Sequence, residues 1–211
     1  CLDKEAGEIV SGKDLDVIAA MHIRASTVAT DLRKPASKFR FFHDKVNLFH
    51  EFDPRSIIIR RNSSGEICGI LIYTHDEKCF NSFAGAGHMR FYVRALKALL
   101  GLYGYDFRKF LAAARSMLGQ GKVSGAVPAG RFGKIWVLLV MEESRGRGIA
   151  TELIRECIGQ MRQRGGEKLI VTVKTDNAPA IRTYEKCGFA RIGTCEESSG
   201  HSYLMQIDLT K

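Results

Sequence analysis

Arg145-Gly146-Arg147-Gly148-Ile149-Ala150 joins a strand-like run, Lys134 to Val140, to a helix-like run, Thr151 to Arg164. Two glycines at a strand-to-helix junction let the backbone turn tightly and bare its N–H groups. Those groups then lie at a helix N-terminus, where the aligned peptide dipoles favour an anion. Arg145 and Arg147 add fixed positive charge that suits phosphate oxygens. The expectation is a pyrophosphate cradle. Its plain alternative is a glycine turn flanked by two solvated arginines.

Two common phosphate loops do not fit. A nucleoside-triphosphate loop needs Gly-Lys-Ser or Gly-Lys-Thr opening the helix, and Gly148 is followed by Ile149 and Ala150. A dinucleotide loop needs a third small residue where Thr151 stands, and an acid on the next strand to hold a ribose. The next strand-like run, Lys168 to Lys174, contains no acid.

A second constellation follows in Asn177-Ala178-Pro179-Ala180-Ile181-Arg182-Thr183-Tyr184-Glu185-Lys186-Cys187-Gly188-Phe189. Asn177 can cap a helix, Pro179 suits its first turn, and Gly188 can end it in the left-handed conformation. Asn177, Ala180 and Tyr184 then fall along one face. The two motifs in this order, with a strand and a helix between them, resemble the GNAT superfamily of acetyl-CoA-dependent N-acetyltransferases. The first matches its Arg-x-x-Gly-x-Ala loop, preceded by Leu138-Leu139-Val140. The second matches Asn-x-x-Ala-x-x-x-Tyr-x-x-x-Gly-Phe. The resemblance covers Ile135 to Leu209 well and the N-terminal half weakly.

The resemblance implies an α/β fold. Its sheet is mixed but mostly antiparallel, with splayed central strands and helices on both faces. Acetyl-CoA is the implied cosubstrate. Arg145, Gly146, Arg147, Gly148, Ile149 and Ala150 would hold its pyrophosphate. Main-chain groups of Leu138, Leu139 and Val140 would hold the pantetheine arm through β-type hydrogen bonds, with Asn177 assisting. An N–H near Val140 would polarise the thioester carbonyl. Tyr184 would be the general acid, since a phenol of ordinary pKa near 10 can protonate a leaving thiolate. Packing of the Tyr184 ring against pantetheine is the alternative. The implied reaction is direct attack of a primary amine in a ternary complex. The expected acceptor is a small metabolite such as an amino sugar. A protein Lys or N-terminal amine, or a non-catalytic acyl-CoA-binding module, are the rivals.

No carboxylate lies within Gly133 to Val140 to serve as general base. His75, Asp76, Glu77, His88, Glu142 and Glu143 are the candidates, the last two reading as a solvated turn. Water is an equal alternative.

The remaining sequence bounds these expectations. The 211 residues suit one domain, with an insertion at 76–132. A hydrophobic content of 45% is ordinary for a globular core. No apolar run approaches the roughly 20 residues that span a bilayer, and no secretory pattern opens the sequence. Six scattered cysteines without a Cys-x-x-Cys, and six histidines without ligand spacing, suit reduced thiols in a cytoplasm and no metal.

The elements read in order as two helices (Asp14 to Thr30, Ser37 to Phe49) and a hairpin (Ser56 to Arg60, Ile67 to Thr74). The Gly133 strand, a helix, the Leu169 strand and the Asn177 helix follow, then strands at Phe189 to Thr194 and Ser202 to Leu209. Leu15, Ile18, Ala19, His22 and Ile23 form the apolar stripe of the first helix. The stretch from Asp76 to Lys134 carries ten Lys or Arg against three acids, seven of the nine net positive charges. The insertion reads as two amphipathic helices, one bearing Arg90, Arg94 and Lys97. These suit packing over the sheet or against a second copy of the chain, an anionic acceptor, or a peripheral membrane contact. No nucleic-acid recognition motif accompanies the charge.

Overall fold

A computed structural model describes residues 10–25, 35–86, 123–125, 131–197 and 200–210. Two helices come first, α1 (Gly12–Ala25) and α2 (Pro35–Phe52). The hairpin β1 (Ile57–Arg61) and β2 (Ile67–Thr74) follows, then α3 (Glu77–Ala86) and a short β3 (Val123–Gly125). The motif-bearing half runs β4 (Phe132–Val140), α4 (Ile149–Gln163), β5 (Lys168–Lys174), α5 (Ala178–Lys186), β6 (Ala190–Glu197) and β7 (Gly200–Asp208).

The seven strands form one sheet in the order β1-β2-β4-β5-β7-β6-β3. Only β4 and β5 run parallel. Helices cover both faces. α4 and α5 bury Leu153, Ile154, Cys157, Met161 and Ile181 against Leu71, Tyr73, Leu169 and Met205. α1, α2 and α3 bury Ile18, Val46, Phe49 and Phe80 against Ile57, Ile59, Ile70 and Ile72. Every residue of β2 is buried, which is why that strand reads as an unbroken apolar run rather than an alternation.

The site is created where β4 and β5 part. Their ladder joins Phe132–Ile135 to Lys168–Val171 and ends there, although both strands continue. The cause lies on the other edge of β4. Val137 pairs with Ile72 and Ile135 with Tyr73, so Trp136 is an extra residue, a β-bulge. A bulge bends and twists its strand. Beyond Trp136, β4 follows β2 as far as Val140, while β5 follows β7 along its whole length. Each strand stays with its outer neighbour, and a wedge opens between them.

The insertion departs from expectation. Its first turn is α3, capped by Asp76, whose Oδ1 accepts from the Cys79 N–H at 3.0 Å. β3 pairs with β6 at the far edge of the sheet. The two expected basic helices, with Arg90, Arg94 and Lys97, lie outside the described residues, as does His88. No helix among the described residues is long and apolar enough to cross a membrane.

Gly133 sits at the closed end of the wedge. A Cβ there would lie 2.6 Å from the Thr74 carbonyl oxygen and 2.6 Å from Met161 Cε. The carbonyl is backbone and cannot swing aside, so Gly133→Ala should destabilise the fold by about 1–3 kcal/mol through overpacking. Urea unfolding checks this; an unchanged midpoint would show that β2 and β4 are not packed this tightly.

Candidate active site

The loop after β4 has the geometry its glycines suggest. Gly146 and Gly148 have φ of 78° and 83°, and a Cβ at either would point into open space. Gly148 is the N-cap of α4 and, having no side chain, leaves the first amides uncapped. The first helical bond runs from the Glu152 N–H to Gly148 O, at 3.1 Å. The N–H groups of Ile149, Ala150 and Thr151 therefore face outward without intrahelical partners. α5 makes the contrast: Asn177 Oδ1 caps it by accepting from the Ala180 N–H at 3.2 Å. Arg145 and Arg147 are exposed beside the bare α4 terminus, and Arg145 Nε donates to Val140 O at 3.3 Å. Glu142 and Glu143 lie exposed on a single 3₁₀ turn, as the sequence suggests.

The wedge edge of β4 is the second part. The Met141 N–H donates to Cys68 O at 2.8 Å, which fixes the phase of the β2 ladder. Antiparallel pairing alternates, so the N–H and C=O of Val140 and Leu138 turn away from β2 into the wedge. The departed β5 leaves them without a ladder partner. They can accept an extended chain as a strand would.

A cavity of about 540 Å³ fills the wedge. Leu138, Leu139, Asn177 and Tyr184 all line it, with Ala180 from the same motif. The loop residues 145–150 do not line it; they close the end of β4 beyond it. The Tyr184 ring is 4% exposed and packs edge-on against Phe189 at 5.4 Å. Burial, with Cys157 and Cys187 adding to it, pushes the phenol above its ordinary pKa, so it stays protonated and able to donate.

Sequence reasoning missed the opposite wall, made by His22, Phe42 and Lys45 from α1 and α2. The His22 ring lies 5.1 Å from that of Phe42. Burial first, and the Lys45 charge second, hold the imidazole down to about 4. His22 Nδ1 is buried without a hydrogen-bond partner. Burial likewise lowers the Lys45 ammonium. The one available signal was a histidine on an otherwise apolar helical stripe, which core packing explains equally well.

None of the five described base candidates lines this cavity. Asp76 is committed as the α3 cap and pairs with Arg131 at 2.9 Å. Burial raises its carboxyl, but the Cys79 hydrogen bonds and the Arg131 charge outweigh that and lower it. His75 Nδ1 lies 3.5 Å from Asp53 and its ring stacks on Phe52. Glu77 pairs with Lys134 at 3.5 Å, so the lysine found where an acid was sought has its carboxylate from α3. Lys134 also lies 4.1 Å from the Trp136 ring centroid. No cluster of metal-ligating side chains occurs among the described residues.

Comparison with known proteins agrees with this geometry. The acetyltransferase (GNAT) family model matches residues 26–189. A mycothiol acetyltransferase of Corynebacterium aurimucosum is 37% identical over 59 residues, 28% of this chain and 19% of that protein. N-alpha-acetyltransferase 30 of Schizosaccharomyces pombe is also 37% identical over 59 residues, 28% of this chain and 39% of that protein. The chain thus matches well under two thirds of these curated relatives. The crystal structure of SsHAT superposes with a TM-score of 0.68 at 15% identity, covering 97% of this chain and 98% of that one, a likeness of fold.

The buried imidazole sets a pH dependence. With a folded pKa of about 4 against an ordinary 6.5, the unfolded chain alone holds this proton between those values. The contribution is fully present above pH 6.5 and is lost as pH falls toward 4, amounting to about 3 kcal/mol. Denaturant unfolding from pH 7 to pH 4.5 should show that loss in the wild type. His22→Leu should flatten it. An equal slope in both would mean that other groups account for the loss.

Proposed function

The chain belongs to the acetyltransferase (GNAT) family, and from that premise we propose that it moves an acetyl group from acetyl-CoA to the primary amine of a small molecule. The observation that carries this is the wedge between β4 and β5, with a bare helix N-terminus at one end and Tyr184 in its wall.

The residues fit the donor. Uncapped amides of Ile149, Ala150 and Thr151, open space over Gly146 and Gly148, and the charges of Arg145 and Arg147 suit a pyrophosphate. The free ladder edge at Leu138 and Val140 suits an amide-bearing arm, with Leu139 and Asn177 bordering it. Bound acetyl-CoA would supply an activated acyl group. The chain's part is to orient it, to offer the Val140 N–H to its carbonyl oxygen, and to donate the Tyr184 proton to the departing thiolate. A protonated, buried phenol without a hydrogen-bonded side-chain partner among the described residues is available for that donation. No carboxylate lines the cavity among the described residues, so water is the proposed carrier of the amine's proton.

A small acceptor is favoured by the modest cavity volume of about 540 Å³ and by the stretch shared with mycothiol acetyltransferase. The stretch shared with N-alpha-acetyltransferase 30 supports a peptide N-terminus as the second acceptor class.

Millimolar acetyl-CoA should raise the melting temperature, because selective binding to the folded state adds RT ln(1 + [L]/Kd). Gly148→Val should abolish the shift, since its side chain would occupy the open space above the loop and strain a positive φ. Differential scanning fluorimetry checks both; a wild type that ignores acetyl-CoA overturns the assignment.

Tyr184→Phe keeps the ring and removes the proton donor. Turnover should fall about 10²- to 10⁴-fold with acetyl-CoA affinity nearly unchanged. Wild-type single-turnover rates in the variant would leave Tyr184 a packing role only.

A further inference from the structure

We propose that Lys45 selects the acceptor, and that the acceptor is an amine carrying an anionic group close to its nucleophilic nitrogen. The inference rests on the acetyl-transfer reading and names its substrate class.

Among the described residues the cavity wall carries two charged residues, Lys45 and Lys174, and no carboxylate. Lys174 is exposed at the end of β5. Lys45 is different. It projects from α2, which packs on the sheet face opposite α4 and α5. The bare helix terminus that suits a pyrophosphate therefore belongs to the other side, and Lys45 is not needed there. No carboxylate pairs with Lys45 among the described residues. His22, beside it, is uncharged at neutral pH and cannot compensate it. Lys45 is partly buried, and a poorly hydrated cation without a counter-ion is costly, a cost that a ligand's anion offsets. Pairing would also restore the ammonium that burial disfavours.

Among the described residues no carboxylate lines the cavity to hold the acceptor amine as an ammonium, and the neutral amine is the nucleophile. A volume of about 540 Å³ leaves room for a small acceptor beside an acyl-bearing arm.

The test uses matched pairs of acceptors with thiol release as readout. One pair is an amino acid and its carboxamide, the other an aminoalkyl phosphate and the parent amino alcohol. The wild type should favour the anionic member of at least one pair by about tenfold or more in kcat/KM, and the favoured pair identifies carboxylate or phosphate. Lys45→Gln should remove the preference by raising KM for the anionic member alone, and Lys45→Arg should retain most of it. The acetyl-CoA melting shift should survive in both variants.

Wild-type turnover of neutral amines without preference would overturn the inference and leave the acetyl-transfer reading intact. A preference that persists in Lys45→Gln would also overturn it, as would loss of the acetyl-CoA shift in that variant, which would assign Lys45 to the donor. No thiol release with any amine, despite an intact shift, would overturn both readings together.

Discussion

Everything at the site depends on β4 being unable to keep two neighbours. At Lys134 and Ile135 it is paired on both edges, to β2 and to β5. The extra residue at Trp136 turns the strand, and from there it keeps β2 and loses β5. The loss exposes main-chain groups inside an otherwise closed sheet, a condition that a folded protein tolerates only where water or a ligand satisfies them. β5 cannot follow, because its other edge is held by β7 from Lys168 to Lys174. The wedge is thus enforced by full pairing on either side of it.

The wedge also separates two kinds of chemistry. On the α4 and α5 side, positive potential is made by backbone: bare amides, the helix dipole, and exposed arginines that water can screen. On the α1 and α2 side it is made by the partly buried Lys45 ammonium beside an imidazole kept neutral by its surroundings. Charge in a poorly hydrated wall acts more strongly than the same charge in solvent. Tyr184 lines the cavity between them, its phenol held protonated by burial.

The motif half was legible because its constraints are local. Gly146 and Gly148 adopt the positive φ that few other residues accept. Asn177 and Pro179 open α5, and Gly188, at φ 93°, follows it. The expected hairpin, strands and helices appear within a few residues of their predicted limits, the hairpin turning at Asn62 to Gly65 with Gly65 at φ 79°. Two short elements of the insertion, α3 and β3, were not read from the sequence. Asp76 was a candidate base, yet its oxygens are spent on a helix cap and on Arg131. The three residues of β3 carry no periodic signal, and their partner, β6, is distant in sequence.

The sequence by itself determined the order of elements in the motif-bearing half, the turn at Arg145 to Ala150, the capped helix bearing Tyr184, and the family to which these belong. The elements, the turn and the capped helix follow from backbone preference or periodicity within a short window, and the family from the resemblance of the two motifs. Only the tertiary structure decided that Trp136 is a bulge, since a bulge is defined by the register of a second strand. Only the tertiary structure brought His22 and Lys45 to the cavity that Tyr184 lines. In sequence, His22 belongs to an apolar helical stripe and Lys45 is a lysine on a second helix. What distinguishes them is desolvation by residues far along the chain, and burial of that kind leaves no local trace.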